Sequence, residues 1–136
     1  MHTLTPVDRL EIHELMARYG NIIDEREFSR AWEVFTPDAR YDLADLGDGV
    51  VVGIDDIVAM WTASTTHPLA HHVSNVELTP NTDGTVSVYS KVVGVGYKGR
   101  VGSATYRDVV RKTADGWRIA ERIVVLRRPE SIPAIR

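Results

Sequence analysis

The spacing of apolar residues changes abruptly near residue 70, and this change limits the folds open to the chain more than any other feature. Before residue 66, apolar side chains recur at the three- and four-residue intervals of amphipathic helices. After residue 70 the sequence is rich in β-branched residues and glycine, in four stretches at 71–78, 85–97, 102–113 and 117–126. Helices followed by strands predict an α+β fold with the helices on one face of the sheet.

Three helices and two short strands are predicted in the first half of the chain. The first helix begins with Thr5-Pro6, a capping residue followed by proline at the first helical position. A second, shorter apolar stripe at 28–35 is closed by Pro37. The third helix begins at the acidic pair 55–56, since negative charge favours a helix N-terminus. The short strands flank a turn that contains two glycines.

The second half of the chain is predicted to be an antiparallel meander. Turn sequences typical of hairpins, NTDG at 81–84 and ADG at 114–116, separate consecutive strand stretches. Strands joined by short turns pair with their neighbours in the chain. The predicted sheet is therefore mostly antiparallel, with the helices packed on it.

Charge and composition narrow the class of protein. The 16 Lys and Arg residues and 19 Asp and Glu residues give a formal net charge of -3 without a long run of like charge, which argues against nucleic acid as a partner. The chain has no cysteine, so thiolate chemistry and sulfur-ligated zinc are excluded. There is neither a signal-peptide pattern nor an apolar run of roughly 20 residues. We therefore expect one soluble, cytoplasmic domain over 1–136, without a membrane partner and with a surface tail at 129–136.

Five segments of the sequence carry a family resemblance: RYGNIID, AWEVFTPDARYD, GIDDIVAMW, HHVSNVEL and DGWRIAER. Over roughly residues 5–126 the chain resembles the SnoaL-like branch of the nuclear transport factor 2-like superfamily. The resemblance implies a cone-shaped α+β barrel, in which three N-terminal helices pack on a strongly curved, mostly antiparallel sheet around an apolar pocket. Members include scytalone dehydratase, ketosteroid isomerase, polyketide cyclases, bile acid dehydratases and the small subunits of ring-hydroxylating dioxygenases.

Within that branch, the polar residues resemble those of scytalone dehydratase and the bile acid dehydratases. The bile acid enzymes place a tyrosine, an aspartate five residues later, and then a histidine that opens a strand; Tyr19, Asp24 and His71 match this pattern. The resemblance implies that His71 removes a proton from carbon, that Asp24 orients the imidazole and that Tyr19 donates to an oxygen. The family's further arginine in the last strand has no clear match, since Arg122 and Arg127 only flank the aligned stretch.

Each catalytic candidate also has an alternative interpretation. Tyr19 lies on an apolar helical stripe, where a core tyrosine bonded to the backbone is the alternative. Asp24 begins the sequence DERE, which is also that of a capping box for the second helix. His71 and His72 face opposite sides of a strand, so only one can enter the pocket, and the alignment favours His71. A surface histidine is the alternative for that position, and a His-His metal site is disfavoured because adjacent strand residues diverge.

Five further residues are predicted to bind substrate, because the family pocket is lined by aromatic side chains and because one polar residue shares a strand face with His71. They are Tyr41, Trp61, Tyr89, Tyr106 and Asn75. For each aromatic residue, simple core packing is the alternative. Asp108 alternates onto the face of Tyr106 and is interpreted as either solvated or a pocket acid. Arg122 and Arg127 are interpreted as a solvated face or as members of ion pairs, outside the catalytic set.

Together these residues predict a cofactor-independent lyase or isomerase, most concretely a dehydratase for a polycyclic or otherwise apolar ring substrate of the steroid or polyketide kind. No glycine-rich phosphate loop follows a strand, so neither nucleotide nor flavin is expected, and no metal site is predicted. The alternatives are a non-catalytic small-molecule-binding or assembly domain and a polyketide cyclase. Valines at both alternation phases of 85–97 and 102–113 predict a homo-oligomer formed through the outer face of the sheet, a dimer first and a trimer as the alternative.

Overall fold

The computed structural model describes residues 3–131 as an α+β fold. The helices are α1 (Pro6–Asp24), a 3₁₀ helix (Phe28–Glu33) and α2 (Ile54–Ala63). The strands are β1 (Phe35–Leu43), β2 (Gly49–Val52), β3 (Ala70–Pro80), β4 (Val86–Val95), β5 (Val101–Thr113) and β6 (Gly116–Leu126). Single 3₁₀ turns lie at Ala44–Leu46, Tyr97–Gly99 and Pro129–Ser131. Most of the predicted surface tail, 132–136, lies outside the described residues, as do residues 1 and 2.

The predicted architecture, three helices on a curved and mostly antiparallel sheet, is confirmed. All six strands form one sheet in the order β2-β1-β6-β5-β4-β3. Neighbouring strands are antiparallel except β1 and β6, which run parallel. The sheet curves without closing, so β2 and β3 remain as its two edges. α1 packs against β3 and β6, and α2 packs against β1 and the 3₁₀ helix, which places the core between the helices and the inner face of the sheet.

α1 begins where the sequence predicts, because one buried carboxylate organises its first turn. The Thr5 hydroxyl accepts the Asp8 main-chain N–H at 3.0 Å, and Asp8 Oδ2 accepts the Thr5 N–H at 3.0 Å, which together form a capping box. The other oxygen, Asp8 Oδ1, accepts hydrogen bonds from Lys112 Nζ at 2.9 Å and from Trp117 Nε1 at 3.0 Å. The same side chain therefore caps α1 and ties it to β5 and β6.

The second apolar stripe forms a 3₁₀ helix that is shorter than predicted. The sequence predicts a helix over 28–35 closed by Pro37, whereas the helix ends at Glu33 and β1 begins at Phe35. Pro37 lies within β1, in the stretch before Arg40 where β1 changes its register against β6. A residue without an N–H is tolerated there because the hydrogen-bond ladder is already interrupted.

A β-bulge in β3 changes which side chains of that strand face inward. The register of β3 against β4 shifts between Ser74 and Glu77, and Asn75 adopts a left-handed φ of 54°. Strict alternation predicts Asn75 on the face of His71, and this prediction is wrong because the bulge adds a residue to the strand. Asn75 is exposed, and its Oδ1 accepts the Ser74 hydroxyl at 2.9 Å.

Gly20 allows the last turns of α1 to approach the start of β3 closely. A Cβ at this position would lie 3.2 Å from the main-chain oxygen of His71. Asp24, the last residue of α1, follows one helical turn later. Because residues four apart lie on the same helix face, the close approach at Gly20 also brings Asp24 against β3.

Candidate active site

An open cavity of about 660 Å³ lies between α1, α2 and the inner face of the sheet, and is called the inner cavity below. Side chains from several strands form its apolar wall, among them Leu43, Val92, Ala104, Val124 and Leu126. Five ring side chains with hydrogen-bonding groups also line it, Tyr19, Tyr41, Tyr106, His67 and His71, together with the hydroxyl side chains of Ser64, Thr65, Thr66 and Ser103. Among the described residues that line it, Asp48 is the one carboxylate, and none is lysine or arginine. The composition is that of a pocket for an apolar ligand.

Asp24 holds His71 through both its main chain and its ring. Asp24 Oδ1 lies 2.6 Å from His71 Nδ1, and the two carboxylate oxygens accept the His71 main-chain N–H at 3.1 and 2.9 Å. Only 9% of the His71 side chain and 13% of the Asp24 side chain are exposed. The pair is thus largely shielded from water, with the imidazole in the wall of the inner cavity.

The contact with Asp24 selects one tautomer of the neutral imidazole. An ionised carboxylate only accepts hydrogen bonds, so Nδ1 of His71 carries the proton and Nε2 keeps its lone pair. Nε2 is therefore the ring nitrogen that is free to take a proton from a molecule in the cavity. This is the arrangement of a general base oriented by a carboxylate.

The structure also decides between the alternatives left open for Asp24 and for the two histidines. The 3₁₀ helix has Glu27 at its N-cap, without a side-chain hydrogen bond, so Asp24 does not cap it. Both Asp24 oxygens instead accept hydrogen bonds from His71. His72 lies on the exposed side of β3. The structure brings Asp24 and His71 together and leaves His72 outside.

Tyr19 and Tyr41 form a pair of hydrogen-bonded hydroxyls in the wall of the inner cavity. Both residues are buried, with exposed fractions of 1% and 5%. One hydroxyl donates to the other, so the accepting hydroxyl keeps its own hydrogen for a further acceptor. Burial, reinforced by the neighbouring Tyr19 and Tyr106, raises the pKa of Tyr41 well above its usual value of 10. Tyr41 is therefore a neutral phenol over the physiological range.

A buried arginine lies behind this tyrosine pair. Arg122 is fully buried, and its Nε and Nη2 donate to Asp108 Oδ1 and Oδ2 at 2.8 and 2.7 Å. Its guanidinium carbon lies 4.0 Å from the centre of the Tyr19 ring and 3.9 Å from that of Tyr106. The interpretation of Arg122 as part of a solvated face is wrong, whereas its alternative as an ion pair is correct. Asp108 is neither solvated nor a pocket acid, because the pair is enclosed in the core.

His67, a second histidine in the wall of the inner cavity, is not predicted from the sequence. Its ring centre lies 6.0 Å from that of His71, and its Nδ1 is buried without a hydrogen-bond partner among residues 3–131. Burial lowers the pKa of His67, and the nearby His71 and Arg26 lower it further. Pro68 packs onto Gly94, where a Cβ would come within 2.7 Å of Pro68 Cγ, and this contact fixes the loop. The loop has no periodic pattern, so no signal in the sequence marked this histidine.

The predicted substrate-binding residues divide between the inner cavity, the core and the outer face of the sheet. Tyr41 and Tyr106 line the cavity. Trp61 is fully buried and packs against Tyr19 with ring centres 6.1 Å apart, so it supports the cavity wall without forming it. Tyr89 does not reach the cavity, because strand alternation turns it to the outer face, where it is 38% exposed.

Residues 3–131 contain no group of three or more His, Asp or Glu side chains arranged to hold a metal ion. Over the same residues, no helix has both the length and the apolar character needed to cross a membrane.

The same architecture and sequence pattern are found in known proteins. The family model of the SnoaL-like domain matches residues 7–123, which is most of the chain. The chain belongs to the SnoaL-like family. An uncharacterised protein of Mycobacterium tuberculosis is 33% identical to this SnoaL-like chain over 127 residues, covering 85% of the chain and 83% of the relative.

This SnoaL-like protein shares the fold of nuclear transport factor 2-like proteins of known structure. A Nostoc punctiforme protein with a cystatin-like fold is 25% identical and superposes with a TM-score of 0.80, over 97% of this chain and 98% of that one. A candidate scytalone dehydratase from Novosphingobium aromaticivorans is 20% identical, with a TM-score of 0.75 over 90% of this chain and 85% of that one. At 20% identity, the similarity to the second structure shows a shared fold.

Proposed function

We propose that this SnoaL-like protein is an acid–base enzyme of the lyase or isomerase kind, most concretely a dehydratase, that acts without a cofactor on a neutral, apolar ring substrate. The observation that carries the proposal is the hydrogen bond between His71 and Asp24 at the wall of an open apolar cavity. A wall with a purely structural role would be more stable if it were built from apolar residues, because buried polar groups lose their hydration. A carboxylate-oriented imidazole facing a cavity is what proton abstraction requires.

The proposed reaction begins with proton transfer to His71. Nε2 takes a proton from carbon next to a carbonyl, and the electron pair of the C–H bond moves onto the carbonyl oxygen to give an enolate. The Tyr19–Tyr41 pair donates its free hydroxyl hydrogen to that oxygen. An apolar cavity strengthens both interactions because it excludes water.

Dehydration follows when the enolate expels a hydroxyl group from the next carbon. The carbonyl re-forms, a C=C bond forms and the C–O bond breaks, while the His71 imidazolium gives the leaving hydroxide its proton and so releases water. In an isomerisation the imidazolium returns the proton to a different carbon instead. Either sequence leaves the enzyme in its starting protonation state.

The lining of the inner cavity indicates the class of substrate. A carboxylate or phosphate in the ligand would find no lysine or arginine in the described wall to offset the loss of its hydration. Asp48, the one carboxylate of the lining, would repel it. The volume of about 660 Å³ lies in the range of small-molecule pockets and is large enough for fused rings. We therefore propose an uncharged substrate of the steroid or polyketide kind, and the fold shared with a candidate scytalone dehydratase supports this choice.

Deuterium exchange into a panel of neutral cyclic ketones, with and without a β-hydroxyl group, tests the proposal. Mass spectrometry in D₂O follows both exchange at the α-carbon and loss of water. The His71→Ala change should slow both by about 10²–10⁴-fold, the typical contribution of general acid–base catalysis. Asp24→Asn keeps a hydrogen-bond acceptor but not the charge, and should also slow both. His72→Ala is the matched control, since His72 lies next to His71 on the exposed side of the strand.

Two outcomes would contradict this function. Equal rates for the His71→Ala and wild-type proteins would remove the mechanism. A wild-type protein that binds the ketones measurably, yet exchanges no deuterium into any of them, would instead be a binding domain, the alternative that the sequence leaves open.

A further inference from the structure

The stability of the core does not by itself account for the Arg122–Asp108 pair. Both side chains are fully buried, and two hydrogen bonds join the guanidinium to the carboxylate. Moving two charges out of water carries a large cost, and apolar residues of similar volume often stabilise a core equally well or better. The pair lies directly behind the wall of the inner cavity, where a fixed charge acts on the side chains that line it.

Arg122 lies between two tyrosine rings that line the inner cavity. Its guanidinium carbon is 4.0 Å from the centre of the Tyr19 ring and 3.9 Å from that of Tyr106. At these distances a cation stacks on the face of a ring and is attracted to its π electrons. Asp108 holds one edge of the guanidinium, and Nη2 also contacts Met16 Sδ at 3.3 Å. The cation is thus held against both rings.

The charge of Arg122 is permanent. Burial lowers the pKa of Arg122, but the charge and the hydrogen bonds of Asp108, together with Tyr19 and Tyr106, outweigh burial, so the pKa is raised. Arg122 Nη1 is buried without a hydrogen-bond partner among residues 3–131. Asp108 therefore neutralises only one edge of the guanidinium, and the two ring faces are its remaining neighbours.

We propose that Arg122 is a positioning residue for the Tyr19–Tyr41 hydroxyl pair. Stacked on Tyr19, the cation restrains the ring and draws electron density from the phenol, which makes the hydroxyl pair a stronger donor to an oxyanion in the cavity. The inference rests on the proposed function, because this donor is the group that holds the enolate oxygen. Arg122 acts through Tyr19 and does not touch the substrate.

Equilibrium binding of 4-nitrophenolate tests this role without turnover. The probe presents a negative oxygen on an aromatic ring, as an enolate does, and its visible absorption reports binding. In the double variant Arg122→Met/Asp108→Leu, an apolar pair of similar volume replaces the ion pair and keeps the core filled. We expect its affinity for 4-nitrophenolate to be about tenfold weaker than that of the wild type, a loss in the range of desolvated cation–π contacts.

A Tyr19→Phe background shows whether Arg122 acts through Tyr19. In that background the double variant should lose less than about twofold further affinity, because the donor is already absent. Arg122→Lys keeps the charge and the carboxylate partner but cannot stack as a plane, so it should weaken binding as well. This variant provides a second test in case the double variant does not fold. Arg118→Met is the control. It removes another largely buried arginine of β6, which bonds the main-chain oxygen of Trp32, and should leave the affinity unchanged.

Three results would overturn the proposal. They are an unchanged affinity in both the double variant and Arg122→Lys, an equal tenfold loss in the Tyr19→Phe background, and a wild-type protein that does not bind 4-nitrophenolate at millimolar concentration. None of these measurements depends on His71. If the deuterium exchange test fails, the proposed reaction is wrong, but the effect of Arg122 through Tyr19 on probe affinity can still be measured. If the binding experiment fails, the proposed role of His71 and Asp24 is unaffected.

Discussion

His67 and His71 share one cavity but have different partners. His71 has the Asp24 carboxylate at 2.6 Å, whereas the buried Nδ1 of His67 has no partner among the described residues. The charge of the nearby Asp24 favours a protonated His67 ring, but burial, with His71 and Arg26, disfavours it more strongly. Protonation of His67 at low pH should therefore destabilise the folded protein at the loop that borders the inner cavity.

The first prediction concerns the pH dependence that His67 adds to stability. Burial lowers its pKa in the folded state from the ordinary 6.5, so the unfolded chain binds the proton more readily. Stability from His67 is thus present above pH 6.5 and is lost as the pH falls from 6.5 through the lowered value. Urea unfolding at several pH values should show a smaller loss on acidification for His67→Gln than for the wild type. His72→Gln, an exposed control, should follow the wild type, and an unchanged slope in His67→Gln would contradict the prediction.

The residues of the site differ in how far the sequence predicts them. Asp24 and His71 are 47 residues apart, yet each stands at a marked position, the end of an amphipathic helix and the start of a strand. Arg122 and its partner Asp108 occupy neighbouring strands of a hairpin. If the strand register is counted from the turn, Asp108 lies opposite Glu121. A register shift between Val109 and Val110 places it opposite Arg122 instead. A bulge of this kind leaves no clear mark in a sequence, so the buried pair could not be foreseen.

At the scale of elements, Gly20 sets the distance between α1 and β3. The prediction is that Gly20→Val destabilises the protein by about 1–3 kcal/mol, the usual cost of adding atoms to a packed contact. Even a Cβ would lie 3.2 Å from the His71 main-chain oxygen, and valine adds two more carbons. Because the change pushes α1 from β3, it should also slow the reaction that depends on the contact between Asp24 and His71.

Chemical denaturation and the deuterium exchange assay check this prediction. Ala17→Val is the matched control, since Ala17 lies on the exposed face of the same helix. There the β-branched residue should cost only about 0.5 kcal/mol through its lower helix propensity. Equal costs at the two positions would show that the close approach does not matter.

Asp8 links α1 to β5 and β6, and it should govern stability in acid. The Thr5 main-chain N–H, with Lys112, Trp117 and the Thr5 hydroxyl, lowers the pKa of Asp8 far below its ordinary 3.8. Stability from Asp8 is therefore fully present above about pH 4 and is lost as the pH falls toward the lowered value. Asp8→Asn should be less stable than the wild type at pH 6, and the difference should shrink as the pH is lowered. Thermal unfolding between pH 6 and pH 2.5 measures this, and a constant difference would contradict the assignment.

Elements with a long apolar repeat are predicted correctly from the sequence, whereas elements that depend on local backbone geometry are not. The apolar stripe of α1 extends over five turns, and its start at Thr5-Pro6 is predicted correctly. The stripe at 28–35 is too short to distinguish an α-helix from a 3₁₀ helix, and the strand after it begins before Pro37. The bulge at Asn75 changes the alternation of β3, and only the register against β4 shows it.

At the scale of the whole molecule, we propose that the outer face of the sheet binds a second copy of the chain. One row across this face runs Glu77, Tyr89, Arg107, Ile123 and Asp42, with the acidic Glu77 and the basic Arg107 on either side of Tyr89. A second copy turned by a two-fold rotation about Tyr89 would place Glu77 of each copy over Arg107 of the other. Tyr89 is 38% exposed in the centre of a trough of about 540 Å³ on this face, which the second copy would cover.

Light scattering at micromolar concentration should give about twice the chain mass of 15.2 kDa. Tyr89→Asp should shift the protein to the mass of one chain, because it puts an unpaired charge in the buried contact. Tyr97→Asp, at an exposed tyrosine outside the strands, should leave the mass unchanged. A wild-type mass near 15 kDa would sink the proposal.

The position of Asp24 also affects how the sheet ends. β3 is an edge strand, and an edge with free N–H groups is a template on which other chains can form strands and aggregate. The carboxylate of Asp24 occupies the His71 N–H, the bulge at Asn75 bends the middle of the strand, and Pro80 has no N–H at its end. Asp24 thus blocks part of this edge in addition to holding the His71 ring. Selection for solubility would retain this aspartate in a relative that has lost its histidine, so the aspartate alone does not mark an active enzyme.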